Sequence, residues 1–212
     1  MNNSPLTVKI SVNYPVQLDI EYPDRKLNRW TSFFRIILAI PIIFLLVSLI
    51  GHFYPSPHHK IGFESQGFLF LAPLIMILFF KKYPKWWFDW NLELYRFMIR
   101  INAYFYLLND EYPSTDQPQS VKLDIVYPQA STLNRFMPLV KWLLAIPHYI
   151  ILFFLSIGAL IAVIFAWFAI LFTGRFPKKL FDFIVGVFRW TARVIGYAIL
   201  LVTDEYPPFS LH

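Results

Sequence analysis

"LVKWLLAIPHYIILFFLSIGALIAVIFAWFAILFT" covers Leu139–Thr173, a nearly unbroken apolar run of 35 residues. One straight helix of that length would measure about 52 Å, against a bilayer hydrocarbon core of about 30 Å. The run is therefore expected to fold back as a helical hairpin, most simply near Ser156–Gly158. Pro147 lies inside the first arm and is expected to kink it. Membrane helices tolerate such a proline where neighbours satisfy the freed carbonyl.

The rest of the chain is of the same character. Hydrophobic residues make up 57% and charged residues 15%, with 20% aromatic. Soluble domains average about 45–50% apolar and about 25% charged. The excess points to a bilayer-embedded protein, and abundant Trp and Tyr suit the membrane–water interface. With no cysteine, disulfides, thiolate metal sites and Cys nucleophiles are excluded. The opening "MNNSPLTVKI" is polar and shows no apolar core of a cleavable signal.

The apolar run begins inside a phrase used twice. "LNRWTSFFRIILAIP" (Leu27–Pro41) returns as "LNRFMPLVKWLLAIP" (Leu133–Pro147), with Arg29 matched by Arg135, Arg35 by Lys141 and Pro41 by Pro147. "VQLDIEYP" (Val16–Pro23) returns as "VKLDIVYP" (Val121–Pro128), and "YPKWWFDW" (Tyr83–Trp90) as "FPKKLFDF" (Phe176–Phe183). Asp89, Arg96, Arg100 and Tyr104 match Asp182, Arg189, Arg193 and Tyr197, and both copies close on "DEYP" at Asp110–Pro113 and Asp204–Pro207. Apolar composition alone does not align Asp, Arg and Pro, so a duplication is expected. The copies are bounded as residues 1–113 and 121–212, joined by the polar linker 114–120, "STDQPQS". The first copy has a longer outer loop, around Gly51–Gly67.

Each copy opens on strict alternation closed by Tyr-Pro, the pattern of a half-buried strand. Leu18, Ile20 and Tyr22 point one way, as do Val121, Leu123, Ile125 and Tyr127. "VKISVNYP" (Val8–Pro15) is a partial third copy, giving up to three strands for a small cytoplasmic sheet. Apolar bodies follow, Phe33–Ile50 and Phe68–Phe80 in the first copy. Last comes a helix with Asp89, Glu93, Arg96 and Arg100 at i, i+4, i+7 and i+11, on one face. The second copy keeps Asp182, Arg189 and Arg193 on that stripe, with Gly186 in place of Glu93.

If the striped helices lie flat in the interface, 18 of the 19 Lys and Arg fall on one side and only Lys60 on the other. If they spanned, the second copy would be inverted. The positive-inside rule favours the flat arrangement. The expected fold is thus mainly α and integral to the membrane. It comprises two repeats of strand, transmembrane hairpin and amphipathic interfacial helix. That gives four spans, both termini cytoplasmic and copies parallel rather than inverted.

These residues also carry a resemblance. "YPVQLDIEYP", "RFMPLVKWLLAIPH", "FTGRFPKKLFDF" and "LVTDEYPPFSL" resemble a family of bacterial membrane proteins classified only as a domain of unknown function. The second half is the closer match, and the first has "FFKKYP" in place of "FTGRFP". The resemblance implies a bacterial inner-membrane location and a repeated unit. It implies no activity.

No phosphate loop, nucleophile elbow or H-E-x-x-H motif occurs. His52, His58 and His59 form the one histidine cluster and read as a solvated loop rather than a metal site. His148 follows Pro147 in an apolar arm; a structural role is weighed there against a proton relay or ligand. Arg96, Arg100, Arg189 and Arg193 are candidates for contact with lipid phosphates or an acidic partner. Lys81, Lys82, Lys85, Arg175, Lys178 and Lys179 are candidates for orientation and contact with anionic lipid. Against this, the same four stripe arginines are weighed as an internal clamp, pairing with Asp89, Glu93 and Asp182 or with strand residues Asp19 and Asp124 to hold the helix to the sheet. Arg29 and Arg135 are further clamp candidates. No catalytic residue, metal or cofactor is expected, and charge spread along the bilayer edges argues against nucleic acid. The expected partners are the phospholipid bilayer, anionic lipids in particular, and a larger membrane complex. The expected function is a non-enzymatic accessory or scaffold subunit. The alternative is a small transporter or channel built from repeats.

Overall fold

Alternation at the head of each copy becomes strand. In the computed structural model, which describes residues 14–50, 71–115, 117 and 119–212, β1 is Val16–Ile20 and β2 is Val121–Ile125. Val16, Leu18, Ile20, Val121, Leu123 and Ile125 are all buried, while Gln17, Asp19, Lys122 and Asp124 face out. The strands pair antiparallel about Leu18↔Leu123, with Val16 opposite Ile125 and Ile20 opposite Val121. Two strands alone are marginal in water. Here their apolar face is covered by helices. The candidate third strand, Val8–Val12, lies outside the described residues, as do the Gly51–Gly67 loop and its histidines.

The helices are α1 (Arg29–Phe33), α2 (Arg35–Ile50), α3 (Leu71–Ile75) continued by a π-helical turn (Met76–Phe80), α4 (Lys85–Phe105), α5 (Met137–Leu144), α6 (Ile146–Thr173) and α7 (Lys178–Ala198). The two charged helices, α4 and α7, are each 21 residues long and each follow a proline, Pro84 and Pro177. A proline just before a helix fits because the first N–H groups have no intrahelical partner. The halves exchange partners: β1 packs on α7, and β2 on α4. Gly196 permits the closer contact. A Cβ there would stand 2.5 Å from Val16 Cγ2, inside any real contact distance.

The turn expected near Ser156–Gly158 does not form: α6 runs unbroken through both residues for 28 residues. The reason is local. The Ser156 hydroxyl donates back to the Leu152 carbonyl at 2.7 Å, a bond made within a helix. Gly158 sits against the Phe183 ring, with room of 3.5 Å for a Cβ. One glycine costs a helix only about 1 kcal/mol relative to alanine. The break falls instead at Ala145, where Pro147 cannot donate to Leu143, and the helix ends at left-handed Gly174, φ 73°. The second copy therefore contains one long apolar helix and no hairpin.

α6 runs along α7. One stripe is buried, with Leu152, Ala159, Ala162, Ala166 and Ile170 among its residues, and the alanines let the two helices close. The remaining surface is apolar and open. Phe153, Phe154, Leu160, Ile161, Ile164, Phe165 and Phe168 are all exposed, and only 22% of its most apolar window is buried. A core helix of a soluble protein would be mostly buried. Met137–Thr173 is long and apolar enough to cross a membrane. The sheet, whose outer face is polar, packs on α4 and α7, and α7 packs in turn on α6, whose outer face is apolar.

Candidate functional site

Two buried cations anchor the apolar helices, and they are built alike. Arg35, at the first residue of α2, is 3% exposed. Its Nη2 donates to Asp110 Oδ1 at 2.7 Å and its Nη1 to the Asn109 carbonyl at 2.8 Å. Its guanidinium lies 4.1 Å from the centre of the Tyr104 ring. Asp110 Oδ2 accepts from the Asn28 backbone N–H at 2.8 Å, and Asn28 caps α1 through Trp30 N–H at 2.9 Å. In the other half, Lys141 is fully buried, with its Nζ 2.7 Å from Asp204 Oδ1 and donating to the Thr203 carbonyl at 2.6 Å. It stands 5.3 Å from the Tyr197 ring. Asp204 Oδ2 accepts from Asn134 N–H at 2.7 Å, and Asn134 Oδ1 from Phe136 N–H at 3.0 Å. Each centre is charge-balanced and ties the head of an apolar helix to its Asp-Glu-Tyr-Pro turn. Just before each turn a leucine adopts a left-handed backbone, Leu107 at φ 61° and Leu201 at φ 57°.

The arginines raised as lipid contacts direct donors into the chain. Arg96 donates from Nε to the Leu123 carbonyl at 2.9 Å and reaches Asp124 at 3.3 Å and Glu93 at 2.6 Å. Arg189 donates to the Leu18 carbonyl at 2.9 Å and reaches Asp19 at 3.5 Å. These bonds hold each helix to the strand of the opposite half. Arg100 donates to the Ser114 carbonyl at 2.7 Å, and Arg193 to the carbonyls of Ser210 and His212. Asp89 pairs with Lys85 at 2.7 Å, and Arg29 donates to the Phe172 carbonyl at the end of α6. Asp182 is exposed and shares a groove of about 660 Å³ with Asp19, Lys178 and Arg189. Arg135 is exposed. Lys82, Lys85, Arg175, Lys178 and Lys179 form an exposed basic rim, and Lys81, half-buried, caps the π-helical turn at φ 49°.

His148 is buried. Its Nδ1 accepts from Trp190 Nε1–H at 3.0 Å, and its ring stacks on Phe209 at 4.1 Å. It packs as a joint between α6, α7 and the C-terminal segment. Among the described residues no three His, Asp or Glu gather as metal ligands. Tyrosines supply further joints. Tyr22 donates to the Phe176 carbonyl and Tyr127 to the Tyr83 carbonyl, while Tyr83 donates to the Leu200 carbonyl at 2.7 Å. Burial, then the neighbouring Tyr127, raises the Tyr83 phenol above its ordinary pKa, so it remains a donor.

Among the described residues, fold and site together define a mainly helical chain with one membrane-length apolar helix and two buried cation–carboxylate joints. Residues 138–210 match the family described as "Domain of unknown function (DUF4389)". No curated protein and no solved structure matches the chain.

Proposed function

We propose that this protein is a non-enzymatic integral protein of the bacterial inner membrane. It organises lipid, or a larger complex, from one face of the bilayer, with its apolar helices lying in the plane of a single leaflet. The observation that carries this reading is the open apolar face of α6 in a chain whose sheet has a charged outer face.

The geometry is drawn from the correspondence of the two halves in sequence. Exchanging the copies maps the ladder onto itself about Leu18↔Leu123, as a two-fold axis normal to the sheet would. The Arg35 and Lys141 centres stand at matching positions of the two halves; if that axis relates them too, the line joining them lies perpendicular to it. α6 starts beside one, where Tyr206 donates to the Leu144 carbonyl. It ends beside the other, where Trp167 Nε1–H donates to the Ser32 carbonyl. On this reading it runs parallel to the sheet. Stood across a bilayer, it would carry the Asp19, Glu21, Lys122 and Asp124 face to mid-depth, where a charged side chain costs about 2.5–3.5 kcal/mol on insertion scales. Laid flat, it keeps that face in water and immerses its phenylalanines in acyl chains.

Flat packing also keeps the cations of both α6 ends, Arg135 and Arg175–Lys179, on one side. This retains the one-sided charge and the parallel copies without the four spans, which depended on a hairpin in each half. Alkaline washing of membranes tests the integral character: the protein is expected in the pellet, and release into the supernatant would contradict it.

A further inference from the structure

The two cation centres differ in one respect. Lys141 is sealed, whereas Arg35 borders a cavity of about 390 Å³ between the α1–α2 junction, the end of α4 and the last third of α6. That volume falls within the range of small-molecule sites, about 300–1,000 Å³. The walls are apolar, with Phe33, Phe105, Val163, Trp167 and Phe168 among them. Two polar side chains join them, Ser32 at 1% exposure and Arg35 at 3%. Ser32 Oγ and Arg35 Nε are buried and make no hydrogen bond within the chain. An unpaired buried donor costs about 1–3 kcal/mol, so two on one cavity wall mark a place where an acceptor belongs. The second half has no counterpart: Pro138 stands where Ser32 does, and Lys141 has no Nε–H.

The chemistry of the acceptor follows from the charge. Asp110 already neutralises the guanidinium at 2.7 Å, so the wall offers two donors and little net charge. A neutral carbonyl oxygen on an otherwise apolar body fits; an uncompensated anion does not. With α6 lying in one leaflet, the neighbouring molecules of that kind are diacyl glycerolipids, whose ester carbonyls lie at the head of each acyl chain. We propose that this cavity binds one acyl chain of a diacyl glycerolipid, with its ester carbonyl accepting from Arg35 Nε–H and Ser32 Oγ–H. The site rests on the in-plane reading above.

The test is lipid retention by the purified protein in detergent, counted by native mass spectrometry. Dioleoyl phosphatidylglycerol is compared with its dialkyl ether analogue, which lacks the carbonyls. Wild type is expected to hold one diester lipid about 3- to 10-fold more tightly than the diether, one or two neutral hydrogen bonds' worth. Arg35→Lys and Ser32→Ala should each reduce that preference. Both are compatible with the fold, since the second half carries Lys at the first position and no hydroxyl at the second. Val163→Phe, filling the cavity, should abolish retention of that lipid. Phosphatidylcholine should behave as phosphatidylglycerol does, because the headgroup is not read. Equal retention of diester and diether by wild type would overturn the site, as would unchanged preference in both Arg35→Lys and Ser32→Ala. Lipid retained without ester preference defeats the site and leaves the membrane reading standing; no retained lipid and loss from the membrane pellet defeat both.

Discussion

Lys141 has no solvent exposure, and its charge is held by one carboxylate, one carbonyl and the face of a tyrosine. A buried ion pair adds little over an apolar pair of the same size, but removing one partner strands the other and typically costs about 3–5 kcal/mol. Lys141→Ala is therefore expected to lower unfolding stability by about that amount in chemical denaturation, and Arg35→Ala similarly. Arg35→Lys should cost far less, because a lysine already performs the task in the other half. A loss below about 1 kcal/mol for both alanine variants would show that the centres are not joints. The ingredients were legible in the sequence, where a cation on each apolar body and an Asp in each "DEYP" recur in step. Their pairing was not, because Arg35 and Asp110 are 75 positions apart and spacing of that kind carries no distance. Arg96 and Arg189 were read with both an outward and an inward role, and only the packing put their Nε groups on strand carbonyls.

The strands were the most readable elements, since period-two alternation fixes which face is buried. It does not say what buries it, so the exchange of β1 onto α7 and β2 onto α4 came from the structure. Gly196→Ala measures that contact: overpacking against Val16 is expected to cost about 1–3 kcal/mol, with partial recovery in the Val16→Ala, Gly196→Ala pair. An unchanged melting temperature would contradict the close approach. Composition does not give the course of α6. Bilayer thickness limits only a helix that crosses, and apolar composition does not give a helix its direction. Ile161, near the middle of α6, is 50% exposed. On a water-facing surface Ile161→Lys would be neutral. In a leaflet it is expected to cost on the order of 2–3 kcal/mol and to reduce the membrane-bound fraction sharply. Unaltered yield and membrane retention would count against immersion of that face.

At the scale of the whole molecule, the two halves interlock, with β1 on α7 and β2 on α4, rather than standing as two beads on a linker. Each half's strand completes the other's helix, so residues 1–113 and 114–212 expressed together as separate chains are expected to co-purify, and each alone to be poorly retained as folded protein. Independent folding of either half would contradict the exchange. The membrane reading turns on the direction of α6. The absence of native cysteine allows a clean measurement. Single cysteines replacing Arg135 and Lys179, at opposite ends of the α5–α6 rod, are challenged with a membrane-impermeant maleimide in intact spheroplasts and in inverted vesicles. With α6 in the plane of the cytoplasmic leaflet, both react in inverted vesicles and neither in spheroplasts. One cysteine labelled from each side would show that α6 crosses the bilayer and would contradict the account.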